Sequence, residues 1–158
     1  MPRVLEFYTD GSFSSKSKMG GWASICIEDG ELIDAQCGYE PYSTNNRMEI
    51  TAILSALENI DTIETGFTKV YIYTDSAYCA NTFNDGWYKT WLKNGWRTAD
   101  KQDVKNQDLW RRVIALYIKL VGRFQLEIIK VKGHSDNKWN NYVDLLAQKK
   151  RRELEVDV

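Results

Sequence analysis

The sequence feature that most constrains the fold is a strand ending that occurs twice. The segments FYTDGS, residues 7–12, and IYTDSA, residues 72–77, both run from strand-forming residues into Thr-Asp. Their alternation predicts a first strand over residues 3–10, ending at Asp10, and a fourth strand ending at Asp75. A helical segment lies before the fourth strand, so a right-handed crossover is expected to make these two strands parallel. Both aspartates would then lie at the carboxyl edge of the sheet, where α/β folds build their sites.

The remaining elements follow from periodicity and turn signals. The segments WASICIE and ELIDAQCGY flank Asp29-Gly30, a strong hairpin signal. Helices are predicted over residues 46–60, 76–84, 106–120 and 139–152, and a fifth strand over residues 124–131. The sequence therefore predicts an α/β fold with a mixed five-stranded sheet, three antiparallel strands plus two parallel, flanked by helices.

The chain length and composition are those of one ordinary globular domain. With 158 residues, 43% hydrophobic and 27% charged, the chain can bury a stable core without disulfides or structural metals. We expect a single domain over residues 1–152 and a frayed tail over residues 153–158. No apolar run approaches the roughly 18 residues of a membrane span, so a cytoplasmic protein without membrane contact is predicted.

The segment TNNRMEITAI, residues 44–53, places an acid on an apolar helix face. Glu49 shares the face of Ala52, Ile53 and Ala56, and an inward carboxylate is costly unless a cation or hydrogen bonds meet it. A plainer alternative is a capping box, in which Asn46 is the N-cap and Glu49 reaches back to an orphan amide. Both interpretations stay open on this segment alone.

A fourth acid and an oxygen-only ligand set indicate divalent cations. Asp144 lies beside the predicted core stripe of the last helix, which is formed by Trp139, Tyr142, Val143 and Leu146. Several carboxylates brought together cannot all ionise unless cations neutralise them, and oxygen ligands select Mg²⁺ or Mn²⁺ over zinc. Such a site suits two-metal phosphodiester hydrolysis. His134, the only histidine, stands in the loop KGHSDN and is suited to proton transfer near neutral pH.

The net charge of −1 hides a basic segment rich in tryptophan. Residues 86–112 hold seven Lys and Arg against three Asp, interleaved with Trp87, Trp91 and Trp96. Rings among cations favour contact with the sugars, bases and phosphates of a nucleic acid, although charge runs are more often solvated helix faces.

Taken together, the motifs resemble the type 1 ribonucleases H. The pieces are TDGS, GGW, TNNRMEITAIL, YTDS, VKNQDLW, and KGH ten residues before the aspartate of NNYVDLLA, and they run in order from Leu5 to Leu146. The resemblance implies an endoribonuclease that cuts the RNA strand of RNA/DNA hybrids with two Mg²⁺ ions and leaves 5′-phosphates. It implies a monomer without an obligatory protein partner, and Mn²⁺ as a substitute ion.

The resemblance also implies roles for individual residues. Asp10, Glu49, Asp75 and Asp144 would be the catalytic metal ligands, and His134 would assist proton transfer or product release. Asn45 and Asn46 would read bases and 2′-hydroxyls in the minor groove. The other implied substrate contacts are Thr44 and Asn106 at a DNA phosphate, Arg47 nearby, Trp87, Trp91, Lys93 and Trp96 on a basic protrusion, and Gly11 with Ser12.

Departures from the family pattern leave part of the substrate contact open. Ala77 stands where many bacterial members have glutamine, the protrusion WLKNGWR is less basic than the lysine-rich version, and the loop FSSKSKM differs. Weaker hybrid affinity or a steeper salt dependence is therefore a hypothesis. The alternatives are a nuclease or recombinase of the same superfamily that acts on DNA, and a non-catalytic hybrid-binding module. The amide pair argues against the first, and the full set of carboxylates against the second.

Overall fold

The computed structural model describes residues 3–64, 68–133 and 136–156. In chain order its elements are β1 (Arg3–Phe13), β2 (Gly20–Glu28), β3 (Glu31–Glu40), α1 (Asn45–Asp61), β4 (Thr68–Thr74), α2 (Ala77–Asn84), α3 (Trp87–Lys93), α4 (Gln107–Val121), β5 (Gln125–Lys130) and α5 (Lys138–Val156). Within these ranges no helix is long and apolar enough to cross a membrane.

The five strands form one sheet in the order β3-β2-β1-β4-β5. The pairs β1–β2 and β2–β3 are antiparallel, whereas β1–β4 and β4–β5 are parallel. The predicted mixed sheet is thus confirmed. Asp29 and Gly30 form the predicted hairpin turn with φ of 53° and 76°, a left-handed pair that glycine and aspartate tolerate.

Helices cover both faces of the sheet. Side chains alternate along β1, so that Leu5 and Phe7 join the larger core cluster with α1, α2, α3 and α4. Tyr8 points to the other face, where it clusters with Val143 and Ala147 of α5. This three-layer arrangement leaves the carboxyl edge of the parallel strands free for a site.

The first strand is longer than predicted. β1 continues beyond Asp10 to Phe13 because β2 keeps pairing with it as far as Phe13 and Gly20. Its parallel pairing with β4, however, stops at Thr9 and Thr74. Asp10 therefore marks the end of the parallel pairing and not the end of the strand.

The last helix is also longer than predicted. α5 continues to Val156, so residues 153–156 of the expected frayed tail are helical. Ion pairing within the helix favours this turn, since Lys150 Nζ lies 3.0 Å from Glu153 Oε2. Glu155 additionally accepts a hydrogen bond from Ser17, far away in sequence.

Candidate active site

Two of the predicted acids lie side by side at the carboxyl edge of the parallel strands. Thr9 and Thr74 are the last partners of β1 and β4, so Asp10 and Asp75 follow on adjacent strands. Both threonines are fully buried, and Thr9 Oγ1 donates to the Tyr73 carbonyl at 3.0 Å. The repeated Thr-Asp ending thus has a structural basis: the threonine packs inside, and the aspartate follows it to the edge.

Helix α1 brings Glu49 to the same edge. The helix begins directly after Thr44, whose side chain accepts a hydrogen bond from Arg47 N at 3.1 Å and is therefore the N-cap. The alternative of a capping box with Asn46 as N-cap is wrong. Glu49 Oε1 does not reach back along the helix but accepts a hydrogen bond from Gly11 N at 3.1 Å.

Gly11 links the first two acids. Its backbone N–H is 2.9 Å from Asp10 Oδ1 and 3.1 Å from Glu49 Oε1. A Cβ atom added to Gly11 would lie 2.6 Å from Glu49 N and 2.7 Å from Met48 C, so the backbones of β1 and α1 touch at this point. Only glycine permits this approach, which holds the two carboxylates close together.

The three carboxylates lie close together, with Asp10 and Glu49 buried and Asp75 half-buried. Asp10, Glu49 and Asp75 each offer an oxygen, and these oxygens lie within 4.8 Å of one another. Desolvation and then the Glu49 charge raise the pKa of Asp10 far above its ordinary value. Desolvation also raises the pKa of Glu49, and the charge of Asp75 adds to that rise. In the absence of a cation the pair therefore retains a proton into the neutral range.

The donor set fits a hard divalent cation. All three groups are carboxylates, the ligands that Mg²⁺ and Mn²⁺ prefer. Glu49 is only 3% exposed, and among the described residues its Oε2 is a buried oxygen without a hydrogen-bond partner. Such an orphan acceptor is costly unless a ligand meets it. The residues therefore fit a cation bound between β1, β4 and α1.

Asp144 lies on the wall of the same cleft, on the opposite layer. The cleft has a volume of about 310 Å³ and is lined by Asp10, Gly11, Asn45, Glu49, Asp75, Ser76 and Asp144. Asp144 is half-buried, makes a side-chain hydrogen bond with Asp10, and accepts a hydrogen bond from Gln148 Nε2 at 3.0 Å. The stripe predicted around it differs in one member: Val143 is buried, but Tyr142 is 39% exposed because it faces away from the sheet.

His134 lies outside the described residues. Its neighbour Gly133 approaches the acids closely, because a Cβ atom there would lie 3.2 Å from Asp75 Oδ2. Sequence reasoning missed Gly133, and it also missed Ser76, which lines the cleft. Ser76 caps α2 by accepting a hydrogen bond from Cys79 N at 3.1 Å. A serine at the start of a helical segment is the signal that could have found it.

Of the predicted polar substrate contacts, Asn45 lines the cleft, and Thr44 and Asn46 flank Asn45 in the chain. Thr44, Asn45 and Asn46 are all exposed. Ser12 follows Gly11 on β1 and is half-buried. Asn106 is the N-cap of α4 in a left-handed conformation with φ of 58°, and its side chain makes no cap hydrogen bond. Its amide is thus not used by the helix.

Arg47, which is predicted to lie near a phosphate, is paired with two acids in this structure. Its Nε donates to Glu40 at 3.0 Å, and its two terminal nitrogens donate to both carboxylate oxygens of Asp108 at 3.1 and 2.8 Å. The hydrogen bond with Arg47 lowers the pKa of Asp108, as expected for a strong pair. Two acids therefore neutralise the guanidinium, which ties α1 to β3 and α4.

The basic segment, residues 86–112, holds four tryptophans, of which Trp87 is exposed and Trp91, Trp96 and Trp110 are buried. Trp87 is 39% exposed, and Lys93 on the same helix is exposed as well. Trp91 and Trp96 are each only 7% exposed, so most of each ring lies in the core. Their contact with substrate stays a prediction. Trp110, buried in α4, packs on Trp91 with ring centroids 5.5 Å apart. Packing against α4 therefore places the Trp91 ring in the core.

Known proteins resemble the chain over nearly its whole length. Residues 2–152 match the family model described as RNase H. A curated protein from Chlorobaculum parvum named Ribonuclease H is 43% identical over 148 residues, which are 94% of this chain and 95% of that protein. Another Ribonuclease H, from Moorella thermoacetica, is 45% identical over 146 residues, 92% and 90% of the two chains.

Solved structures share the fold at lower identity. The crystal structure of LC9-RNase H1, described as a type 1 RNase H with the type 2 active-site motif, gives a TM-score of 0.79 at 23% identity, over 97% of this chain and 74% of that one. The foamy viral protease-reverse transcriptase in complex with RNA/DNA hybrid gives 0.75 at 20% identity, over 94% of this chain and 20% of that one.

With these matches, the fold and the acidic cleft define the class: the chain is a hydrolase of α/β architecture, a nuclease. More narrowly, the chain belongs to the ribonuclease H family, since the family model spans residues 2–152 and curated relatives above 40% identity cover more than 90% of it.

Proposed function

We propose that this chain hydrolyses the RNA strand of RNA/DNA hybrids, with two Mg²⁺ ions held by Asp10, Glu49, Asp75 and Asp144, and leaves 5′-phosphate ends. The observation that carries the proposal is the group of three carboxylates with oxygens within 4.8 Å and a buried orphan oxygen on Glu49. When bound, the cations would supply activation of the attacking water and stabilisation of the leaving oxygen. Mn²⁺ has the same ligand preference and would substitute.

The protein's own contribution begins with preorganisation. Gly11 N–H fixes one oxygen of Asp10 and one of Glu49, and both residues line the cleft, where their other oxygens would bind cations. Releasing the proton that this pair retains prepares it for cations. His134, adjacent in sequence to Gly133, would exchange a proton with the reacting groups or assist product release, a role for which its ordinary pKa is suited.

Selection of a hybrid would come from the rim. The exposed amides of Asn45 and Asn46 can donate to and accept from bases and a 2′-hydroxyl, the group that distinguishes RNA from DNA. Thr44 and Asn106, the N-caps of two helices, would take a phosphate of the DNA strand. Trp87 would stack on the same strand. The curated relatives named Ribonuclease H, at 43% and 45% identity, support this class of substrate.

The proposal is tested with end-labelled RNA/DNA hybrid, duplex DNA and duplex RNA of one sequence, in Mg²⁺, Mn²⁺ or chelator. We expect cleavage of the hybrid's RNA strand alone, only with metal, and products that a 5′-phosphate-dependent exonuclease degrades. Asp10→Asn should abolish cleavage, whereas Asp100→Asn, a matched change at an exposed acid, should not. Cleavage of duplex DNA, or cleavage in chelator, would overturn the proposal. Size-exclusion chromatography tests the expected monomer.

A ribose scan tests the amide pair separately. Single 2′-deoxy substitutions in the RNA strand should slow cleavage near the substituted position in the unaltered protein. In Asn45→Ala or Asn46→Ala the same substitutions should matter less, because the group that senses the hydroxyl is gone. An undiminished effect of the 2′-deoxy substitutions in both variants would remove these residues from hybrid recognition.

A further inference from the structure

The connection between β1 and β2 is a closed loop over residues 14–19. Ser14 N donates to Met19 O at 3.1 Å, and Lys18 N donates to Ser14 O at 2.8 Å. Lys18 adopts a left-handed conformation with φ of 64°, and Met19 is buried. The backbone of this 14–19 loop is therefore defined, although its tip is exposed.

The 14–19 loop is joined to two parts of the acidic cleft. It continues β1 three residues after Gly11, which lines the cleft. Lys18 O accepts a hydrogen bond from Ser43 N at 3.0 Å, immediately before the N-cap of α1 and the cleft residue Asn45. A displacement of this loop would therefore reach the rim where substrate is expected.

The last turns of α5 lie directly on the base of the 14–19 loop. A Cβ atom added to Gly21 would collide with Ala147 O and lie 2.6 Å from Arg151 N, so β2 and α5 are in backbone contact just after the loop. One turn further, Ser17 Oγ donates to Glu155 Oε2 at 2.5 Å. Arg151 Nη1 lies 3.9 Å from the same oxygen.

Ser17 is the contact point between the helix and the loop backbone. Its hydroxyl accepts a hydrogen bond from Met19 N at 3.2 Å while it donates to Glu155. A hydroxyl can do both at once, and the carboxylate fixes the direction of its proton. The bond to Glu155 is charge-assisted and short, so it is stronger than a neutral one. Glu155 therefore holds the loop through Ser17.

The 14–19 loop carries two exposed cations, Lys16 and Lys18. Cations beside an acidic cleft suit a polyanion whose backbone passes the cleft. Long side chains on a mobile loop lose more conformational entropy on binding than those on a fixed loop. A contact that holds the loop in place would consequently raise the affinity of its lysines for phosphate, although the contact itself does not touch the substrate.

We propose that the last turn of α5 is a positioning element for substrate: Glu155, acting through Ser17, holds the 14–19 loop so that Lys16 and Lys18 meet the phosphate backbone of the hybrid. This inference rests on the proposed function for its substrate. The hydrogen bond between Glu155 and Ser17, which we call the Glu155 clamp, does not itself depend on that function. It gives residues 153–156 a role that neither the carboxylates nor the amide pair supply.

The test compares Glu155→Ala with Glu153→Ala. The two acids lie on the same turn of α5, and each substitution removes one negative charge. Glu153 pairs with Lys150 of the same helix, whereas Glu155 contacts the 14–19 loop. For Glu155→Ala we expect KM for hybrid cleavage to rise about three- to tenfold relative to Glu153→Ala, with kcat unchanged because the carboxylate ligands are untouched. Glu155→Gln, which keeps an acceptor for Ser17, should restore most of the KM.

Two further experiments distinguish an effect on the 14–19 loop from an effect on RNA cleavage itself. Hydrogen exchange at residues 15–19 should accelerate in Glu155→Ala and not in Glu153→Ala, a readout that is independent of cleavage. In a Lys16→Gln/Lys18→Gln background, Glu155→Ala should no longer change KM. Equal exchange in the two alanine variants would overturn the clamp, and faster exchange with an unchanged KM would overturn its role in substrate binding. Failure of the unaltered protein to cleave hybrid would instead refute the proposed function and, with it, the hybrid as the loop's ligand.

Discussion

Replacing Asp10 by asparagine should stabilise the protein in chelator and remove its response to Mg²⁺. Asp10 and Glu49 are each 3% exposed, and with Asp75 they place carboxylate oxygens within 4.8 Å of one another. At that separation two unit charges repel by about 3.5 kcal/mol at an effective dielectric constant of about 20. Because the pair lowers this cost by retaining a proton, we expect the asparagine to recover about 2 kcal/mol, or roughly 4–8 °C in Tm.

The pH dependence has a definite sign. The folded-state pKa values of Asp10 and Glu49 are raised, so between the unfolded values near 4 and the raised values the folded protein binds more protons than the unfolded chain. The stability of the protein in chelator should therefore fall as pH rises through this window. Asp10→Asn removes one of the two coupled groups, so its stability should fall less.

The assay is urea denaturation at several pH values, with chelator or with Mg²⁺. In chelator at neutral pH, Asp10→Asn should be more stable than the unaltered protein, whereas Asp100→Asn at an exposed acid should match it. With Mg²⁺ at tenfold its Kd the unaltered protein should gain about 1.4 kcal/mol, and Asp10→Asn little. An Asp10→Asn protein that is no more stable in chelator, with the same pH slope, would refute the account of repulsion between buried carboxylates.

Three further predictions concern the surroundings of the site. Gly11→Ala places a methyl group against the α1 backbone and should cost about 1–3 kcal/mol, with loss of most hybrid cleavage; normal activity would show that the close approach is dispensable. Trp91→Ala should cost about 3–5 kcal/mol of unfolding free energy, measured in urea, because its ring is buried. Trp87→Ala should leave stability nearly unchanged and weaken hybrid binding by about 1 kcal/mol or more, and the reverse pattern would contradict the division between core and surface rings. Arg47→Gln should lower stability by about 1 kcal/mol or less, because Asp108 is 65% exposed and Glu40 is 36% exposed; Asp108→Asn in that background should add less than its separate cost, since either change removes the Arg47–Asp108 pair, and strict additivity would show that the pair is uncoupled.

The order of the elements could be read from the sequence because the relevant signals are local. Alternation of apolar and polar residues, the Asp29-Gly30 turn and helical spacing depend on near neighbours, and each predicted element is present. The short helix α3 (Trp87–Lys93) was not predicted. The repeated Thr-Asp ending indicated that Asp10 and Asp75 would meet, because parallel strands share one edge. The register of Thr9 with Thr74 is the physical reason.

The roles of several polar and aromatic residues depended on partners that are distant in the chain. Thr44 and not Asn46 caps α1, which frees Glu49 for the hydrogen bond from Gly11, 38 residues earlier. No local pattern distinguishes these two caps, since Thr and Asn are both good N-cap residues.

What the sequence by itself determined is therefore the fold class and the meeting of Asp10 with Asp75 at one sheet edge, because periodicity and strand endings are properties of neighbouring residues. The tertiary structure decided that Glu49 and Asp144 line the same cleft. Only the tertiary structure decided which charges and rings are available to a ligand. Arg47 is occupied by Asp108, 61 residues away, and Trp91 is covered by Trp110. Burial and ion pairing arise where distant segments of the chain pack together. The sequence contains both residues of each pair, but no local pattern shows that they are in contact.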